Sequence, residues 1–149
     1  MKSPPNDYLK FWRVIRYYIK AKHGLTQADL DIILFLYSEG YFGQEKFDEF
    51  SELVSWDKDR FNRLHKEGWI ETFRRRSPNG RALYQLSYKA TRLVLDIYRK
   101  LNGEEIPVSL SNNPLMAKNV SYNDKVYRNM ILQMNAYYRA NKRKKYEDD

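Results

Sequence analysis

The chain contains no cysteine, which excludes disulfides, thiolate nucleophiles and cysteine-based zinc sites. That absence fits a reducing compartment. Histidine is scarce too: His23 and His65 are far apart in sequence, and His65, on the expected inner side of its helix, reads as a satisfied core or boundary residue. No apolar run approaches the ~18 residues of a membrane span, and MKSPPNDY lacks the apolar core of a signal peptide. A soluble, cytoplasmic protein with no membrane partner is therefore expected (in the virion or host cytoplasm if the source is viral). Glycine-rich phosphate loops, nucleophile elbows and metal-ligand spacings are missing as well. Asp57 and Asp59 belong to a solvated helix start, where nothing raises a carboxyl pKa for acid–base work. The expectation is no enzyme, no metal and no cofactor.

What is present is positive charge and aromatic surface. The 149 residues carry 27 Lys and Arg against 19 Asp and Glu, a formal net charge of +8, and 13 are tyrosine. An excess of that sign attracts polyanions. Its distribution is uneven. Between Thr72 and Leu95 lie Arg74, Arg75, Arg76, Arg81, Lys89 and Arg92 without one acid, whereas Glu45 to Glu52 is net acidic.

Apolar spacing predicts a helix over Tyr8–Lys22, with Tyr8, Trp12, Ile15 and Ile19 on one face and His23-Gly24 at its end. Thr26-Gln-Ala-Asp29 has the form of a capping box, and Leu30–Tyr37 after it is apolar on nearly every side, as a central buried helix requires. A short helix over Glu45–Leu53 follows, then one over Lys58–Glu67 with Asp57 as N-cap, Trp56 stapled to Phe61, and Gly68 closing it. Trp69–Arg76 and Arg81–Ser87 read as strands around a type I turn, Ser77-Pro-Asn-Gly80, with a left-handed glycine. Tyr88–Leu101 predicts another helix, with Leu93, Ile97 and Leu101 in line. Residues 104–120 form a connector rich in Ser, Asn and Pro. A last helix after Ser121 has Val126, Met130, Met134 and Tyr138 on one face and frays at Asn141–Lys145. The tyrosines Tyr17, Tyr18, Tyr37 and Tyr41 suit either packing or a small-molecule pocket.

This order of elements is that of a winged helix-turn-helix: mostly α with a small β-hairpin wing, and N- and C-terminal helical extensions. The segments Leu64-His-Lys-Glu-Gly-Trp-Ile-Glu71, Ser77-Pro-Asn-Gly-Arg81 and Leu86-Ser-Tyr-Lys-Ala90 carry a resemblance to the MarR-type winged-helix transcription regulators, over about residues 25–101. The resemblance implies a homodimer joined by its terminal helices, with recognition helix and wing against double-stranded DNA. It divides the chain into an N-terminal dimerisation helix (1–24), the winged-helix domain (25–103), the connector (104–120), and a C-terminal helix with charged tail (121–149).

On that reading Arg74, Arg75, Arg76, Asn79 and Arg81 of the wing contact phosphate or enter the minor groove. Lys58, Arg60, Asn62, Arg63 and Lys66 of the recognition helix face the major groove, Arg suiting guanine and Asn adenine. Asp57, Asp59 and Glu67 stand among them and suit the helix dipole instead. Together with the acidic stretch before them, they leave open a second reading, a winged-helix scaffold reused for protein–protein assembly, as in a phage-type structural or packaging accessory. The long connector and the aromatic last helix are its other motives.

Overall fold

A computed structural model describes residues 7–46, 49 and 58–147. The chain is mostly helical with one two-stranded antiparallel sheet, and it folds as two compact units. One is the continuous segment Leu25–Leu95; the other combines the chain before Leu25 with the chain after Leu95.

In the continuous unit, helix α2 (Gln27–Leu36) starts as expected. The Thr26 hydroxyl accepts from the Asp29 N–H, and the Asp29 carboxylate accepts from the Thr26 N–H, so two otherwise orphaned donors are satisfied. Leu30, Ile32, Ile33 and Leu36 are fully buried along one side of the helix, while Asp31 and Phe35 are exposed on the other, so the helix is less enclosed than its apolar sequence predicts. Residues 44–46 are helical; the rest of the expected 45–53 helix, apart from Glu49, lies outside the described residues, as do the Asp57 cap and the Trp56 staple.

Helix α3 (Lys58–Lys66) buries Phe61 and Leu64. It ends in a Schellman motif: the Gly68 N–H bonds the His65 carbonyl, and the Trp69 N–H reaches back to Leu64. Gly68 has φ +85°, a conformation that costs a side-chain-bearing residue strain, so glycine belongs at this stop. Strands β1 (Ile70–Arg74) and β2 (Leu83–Leu86) pair with Ile70 opposite Leu86, Glu71 opposite Gln85 and Thr72 opposite Tyr84. Both strands are shorter than the periodicity predicts. The register slips between Thr72 and Arg74, leaving Phe73 as an extra residue, and a bulge of this kind bends the strand and ends regular pairing early. On the other edge of β2, Phe42 and Tyr84 exchange both backbone hydrogen bonds, a one-residue third strand.

At the hairpin tip Ser77 and Gly80 also exchange backbone hydrogen bonds around Pro78-Asn79, as a two-residue loop does. Gly80 is not left-handed, contrary to the expectation. A Cβ there would stand 3.0 Å from the Arg74 guanidinium, the movable end of an exposed side chain that folds across the tip, so space does not demand glycine either.

The second unit is built on helices α1 (Tyr8–His23) and α5 (Tyr122–Glu147), with the 3-10 turn Pro114–Met116 against both. Helix α4 (Tyr88–Leu101) is capped by the Ser87 hydroxyl and passes from the first unit into the second. The buried stripe of α1 is Phe11, Val14, Ile15, Tyr18 and Ile19, with Tyr8 and Trp12 only half-buried, so the inward face is rotated from the expected one. On α5 the same happens. Ile131, Met134, Asn135 and Tyr138 are buried, Val126 is exposed, and the helix runs through Asn141–Lys145 to Glu147.

The 104–120 connector is irregular but anchored. The buried Asn135 side chain pairs with both backbone groups of Ile106, and the buried Asn113 side chain donates to the Pro107 carbonyl and accepts from the Leu115 N–H. These bonds satisfy polar backbone that burial would otherwise penalise.

Candidate nucleic-acid interface

The hairpin projects its tip into solvent. Arg75, Arg76 and Asn79 are exposed, and among the described residues no carboxylate pairs with Arg75 or Arg76. Arg74 is exposed as well, but its guanidinium lies back along the tip and donates to the Arg81 carbonyl at 3.1 Å. Arg81 forms an ion pair with Glu45, both side chains remaining largely exposed, at an open groove of about 530 Å³ that Gln44, Arg76 and Tyr84 also line. Of five hairpin positions expected to meet phosphate, Arg75, Arg76 and Asn79 are thus presented outright. Arg81 shares its charge with a carboxylate, and Arg74 shapes the loop.

Helix α3 supports this hairpin through His65 and Phe61. The Tyr84 ring meets Phe61 edge-on at 4.9 Å and His65 edge-on at 5.8 Å, and the His65 imidazole hydrogen-bonds the Thr72 hydroxyl at 2.9 Å. His65 is exposed, not inward-facing, yet its ring is satisfied by the strand it braces. On the solvent side of α3, Lys58, Asn62 and Lys66 are exposed.

Arg60 and Arg63 have a different assignment. Both guanidinium groups bind the Asp29 carboxylate of α2, Arg60 at 2.8 Å, and Arg60 also donates to the Thr26 hydroxyl. Asp29 is fully buried. Burial pushes its carboxyl pKa up, but the Thr26 N–H, Arg63 and Arg60 outweigh that and hold it below the ordinary carboxylate value. The two arginines expected to read bases are the counterions of a buried acid that also caps a helix. Leaving them free for a base would uncover that acid, a change of several kcal/mol.

Two features here were not anticipated from the sequence. One is an exposed aromatic stack: the Tyr41 and Phe73 rings lie 4.0 Å apart and 24° from parallel, with 55% and 50% of each residue exposed. An apolar residue directly before three arginines was the available signal for Phe73. The other is the charge partition. Residues 25–95 hold eleven acidic and eleven basic side chains, so the whole formal +8 belongs to residues 1–24 and 96–149. The hairpin arginines are a local excess on a formally neutral unit.

The four tyrosines considered for a pocket divide between the units. Tyr18 is buried with its hydroxyl on the Asn112 carbonyl, and Tyr17 stacks on Tyr127 at 3.7 Å and donates to Asp124 at 2.6 Å. Tyr37 and Tyr41 are exposed in the other unit. No group of three or more potential metal ligands occurs among the described residues. Among the same residues no helix is long and apolar enough to cross a membrane. No protein-family model, curated protein or solved structure matches this chain.

Proposed function

We propose that this chain is a non-enzymatic winged-helix protein that binds double-stranded DNA through its hairpin, most simply as a MarR-like transcription regulator. The single observation that carries the reading is the exposed pair Arg75 and Arg76, which meets no carboxylate among the described residues, at the end of a hairpin braced by α3. The order of α2, the 44–46 turn, α3, β1, β2 and α4, with Phe42 adding a short third strand, supports the winged-helix assignment. Arg75 and Arg76 engage phosphate or the minor groove, and Asn79 hydrogen-bonds the backbone beside them. Lys58, Asn62 and Lys66 offer major-groove and phosphate contacts, while Arg60 and Arg63 position α3 from within. Binding is then dominated by phosphate contacts, with limited base readout.

Homodimerisation through α1 and α5 fits the large apolar side chains they expose, among them Leu9, Tyr122 and Leu132. The assembly reading loses one of its motives, because Asn113 and Asn135 anchor the connector within its own unit.

A mobility-shift titration of duplex DNA over a salt series tests the proposal. Affinity is expected to fall steeply with salt, and replacing both Arg75 and Arg76 with alanine should weaken binding on all sequences and lower the salt slope by about 2. Salt-insensitive binding, or binding indifferent to both substitutions, would overturn it.

A further inference from the structure

We propose that the Tyr41–Phe73 stack is a platform for an unpaired nucleobase, giving the hairpin a single-stranded DNA site beside its duplex-binding tip; this rests on the DNA-binding reading above. Three observations converge on it. First, the two rings are stacked on each other, yet half of each residue remains in water. Two large rings left open in one place form a flat apolar surface of the kind a base covers.

Second, the backbone is shaped to produce it. Thr72 pairs with Tyr84 and Arg74 with Leu83, so Phe73 is the extra residue of the bulge. A bulge re-aims the side chain it carries, and this one directs Phe73 onto Tyr41, the residue preceding the Phe42 bridge. Tyr84 and Thr72 meanwhile engage His65 of α3, so the ring pair is not needed to hold the hairpin to that helix.

Third, the charge is of the right sign and position. Arg75 and Arg76 follow Phe73 within three residues, are exposed, and pair with no carboxylate among the described residues. Stacking aromatics next to free cations is the combination that holds single strands: each base has a π-face for the ring, and each phosphate a partner in the arginines. A duplex keeps its bases stacked on one another and offers only phosphate and groove edges, so it uses the arginines without the rings.

The test uses the full chain and fluorescence anisotropy at low salt, with four probes: oligothymidylate of about a dozen nucleotides, the ribo-oligomer of the same length, an abasic phosphodiester of the same charge, and a duplex. Tyr41→Ala and Phe73→Ala should each weaken oligothymidylate binding about tenfold while changing duplex affinity less than about twofold. Phe73→Trp should restore it, and the abasic strand should bind wild-type protein no better than oligothymidylate binds Phe73→Ala. Arg75→Ala with Arg76→Ala should weaken every probe.

As a readout on the unaltered protein, an iodouracil-substituted strand should photocrosslink to Tyr41 or Phe73. Equal wild-type affinity for the abasic and base-bearing strands would overturn the platform while leaving the duplex reading intact. So would equal losses on duplex and single strand, which would make the pair a duplex wedge, or tighter binding of the ribo-oligomer, which would make the ligand RNA. Loss of the stack's exposure to a protein partner, seen as a dimer that Phe73→Ala dissociates, would overturn it too. Failure of all four probes to bind would remove both proposals together.

Discussion

Asp29 does three tasks at once: it caps α2, anchors two arginines of α3, and keeps a negative charge where water does not reach. The costs of removing its partners and of removing it are unequal. Replacing both Arg60 and Arg63 with alanine leaves a buried carboxylate with only Thr26 to satisfy it, and is expected to cost about 3 kcal/mol in a urea titration. Asp29→Asn keeps a capping oxygen, and the two partly exposed arginines can turn to water, so its cost should be smaller, about 1–2 kcal/mol. The pH dependence follows from the sign of the shift. A carboxyl whose folded pKa is depressed contributes stability that is fully present above its unfolded value, near 3.9, and lost as pH falls through the folded value. Asp29→Asn should therefore flatten the loss of stability below about pH 4, read as urea midpoints across a pH series. The cap itself was legible, since Thr-x-x-Asp before an apolar run is a local signal. The ion pairs were not, because 31 and 34 residues separate Asp29 from its partners.

Among the elements, α4 and α5 are joined by a buried hydroxyl. Tyr138 is 1% exposed and donates at 2.6 Å to the Lys100 carbonyl in the last turn of α4, which also takes the Gly103 N–H at 3.3 Å. Burial pushes the Tyr138 pKa up to about 12. The sign is opposite to that of Asp29: its contribution is present below the unfolded value near 10 and disappears as pH rises toward the folded one. Tyr138→Phe is expected to lower stability by about 1–2 kcal/mol at neutral pH and to make alkaline destabilisation shallower above about pH 10, measured by chemical denaturation. Helix existence was readable here, down to the Tyr88–Leu101 limits, because Ser87 and Gly103 punctuate both ends. Helix facing was less so. Tyr8, Trp12 and Val126 fit an apolar stripe as well as Phe11, Tyr18 and Ile131 do, and only the partner surface decides which stripe is covered. The hairpin shows the same division: its Pro-Asn tip was local information, whereas the bulge that shortens both strands depends on what Phe73 and Tyr84 meet across the sheet.

For the whole molecule, the uneven division of formal charge between the two units makes a kinetic prediction. The net charge that draws a polyanion from a distance belongs to residues 1–24 and 96–149; α1 carries Lys10, Arg13, Arg16, Lys20 and Lys22 with no acid, and α5 exposes Lys142, Arg143 and Lys144. Long-range attraction sets the encounter rate and is screened over about 8–10 Å at moderate salt, whereas short-range contacts set the lifetime of the complex. If the hairpin is the contact, the two groups of cations should separate in a stopped-flow experiment with duplex DNA. Replacing Lys142, Arg143 and Lys144 with alanine should slow association several-fold at low salt, with dissociation little changed and the effect fading as salt is added. Replacing Arg75 and Arg76 should act mainly by speeding dissociation, an effect that also narrows with salt because two phosphate contacts are lost, so the rate constant affected is what tells the two groups apart. If the terminal substitutions instead speed dissociation as much as the hairpin ones do, the DNA is held by the helical unit as well as by the hairpin, and the neutral unit is not the sole contact.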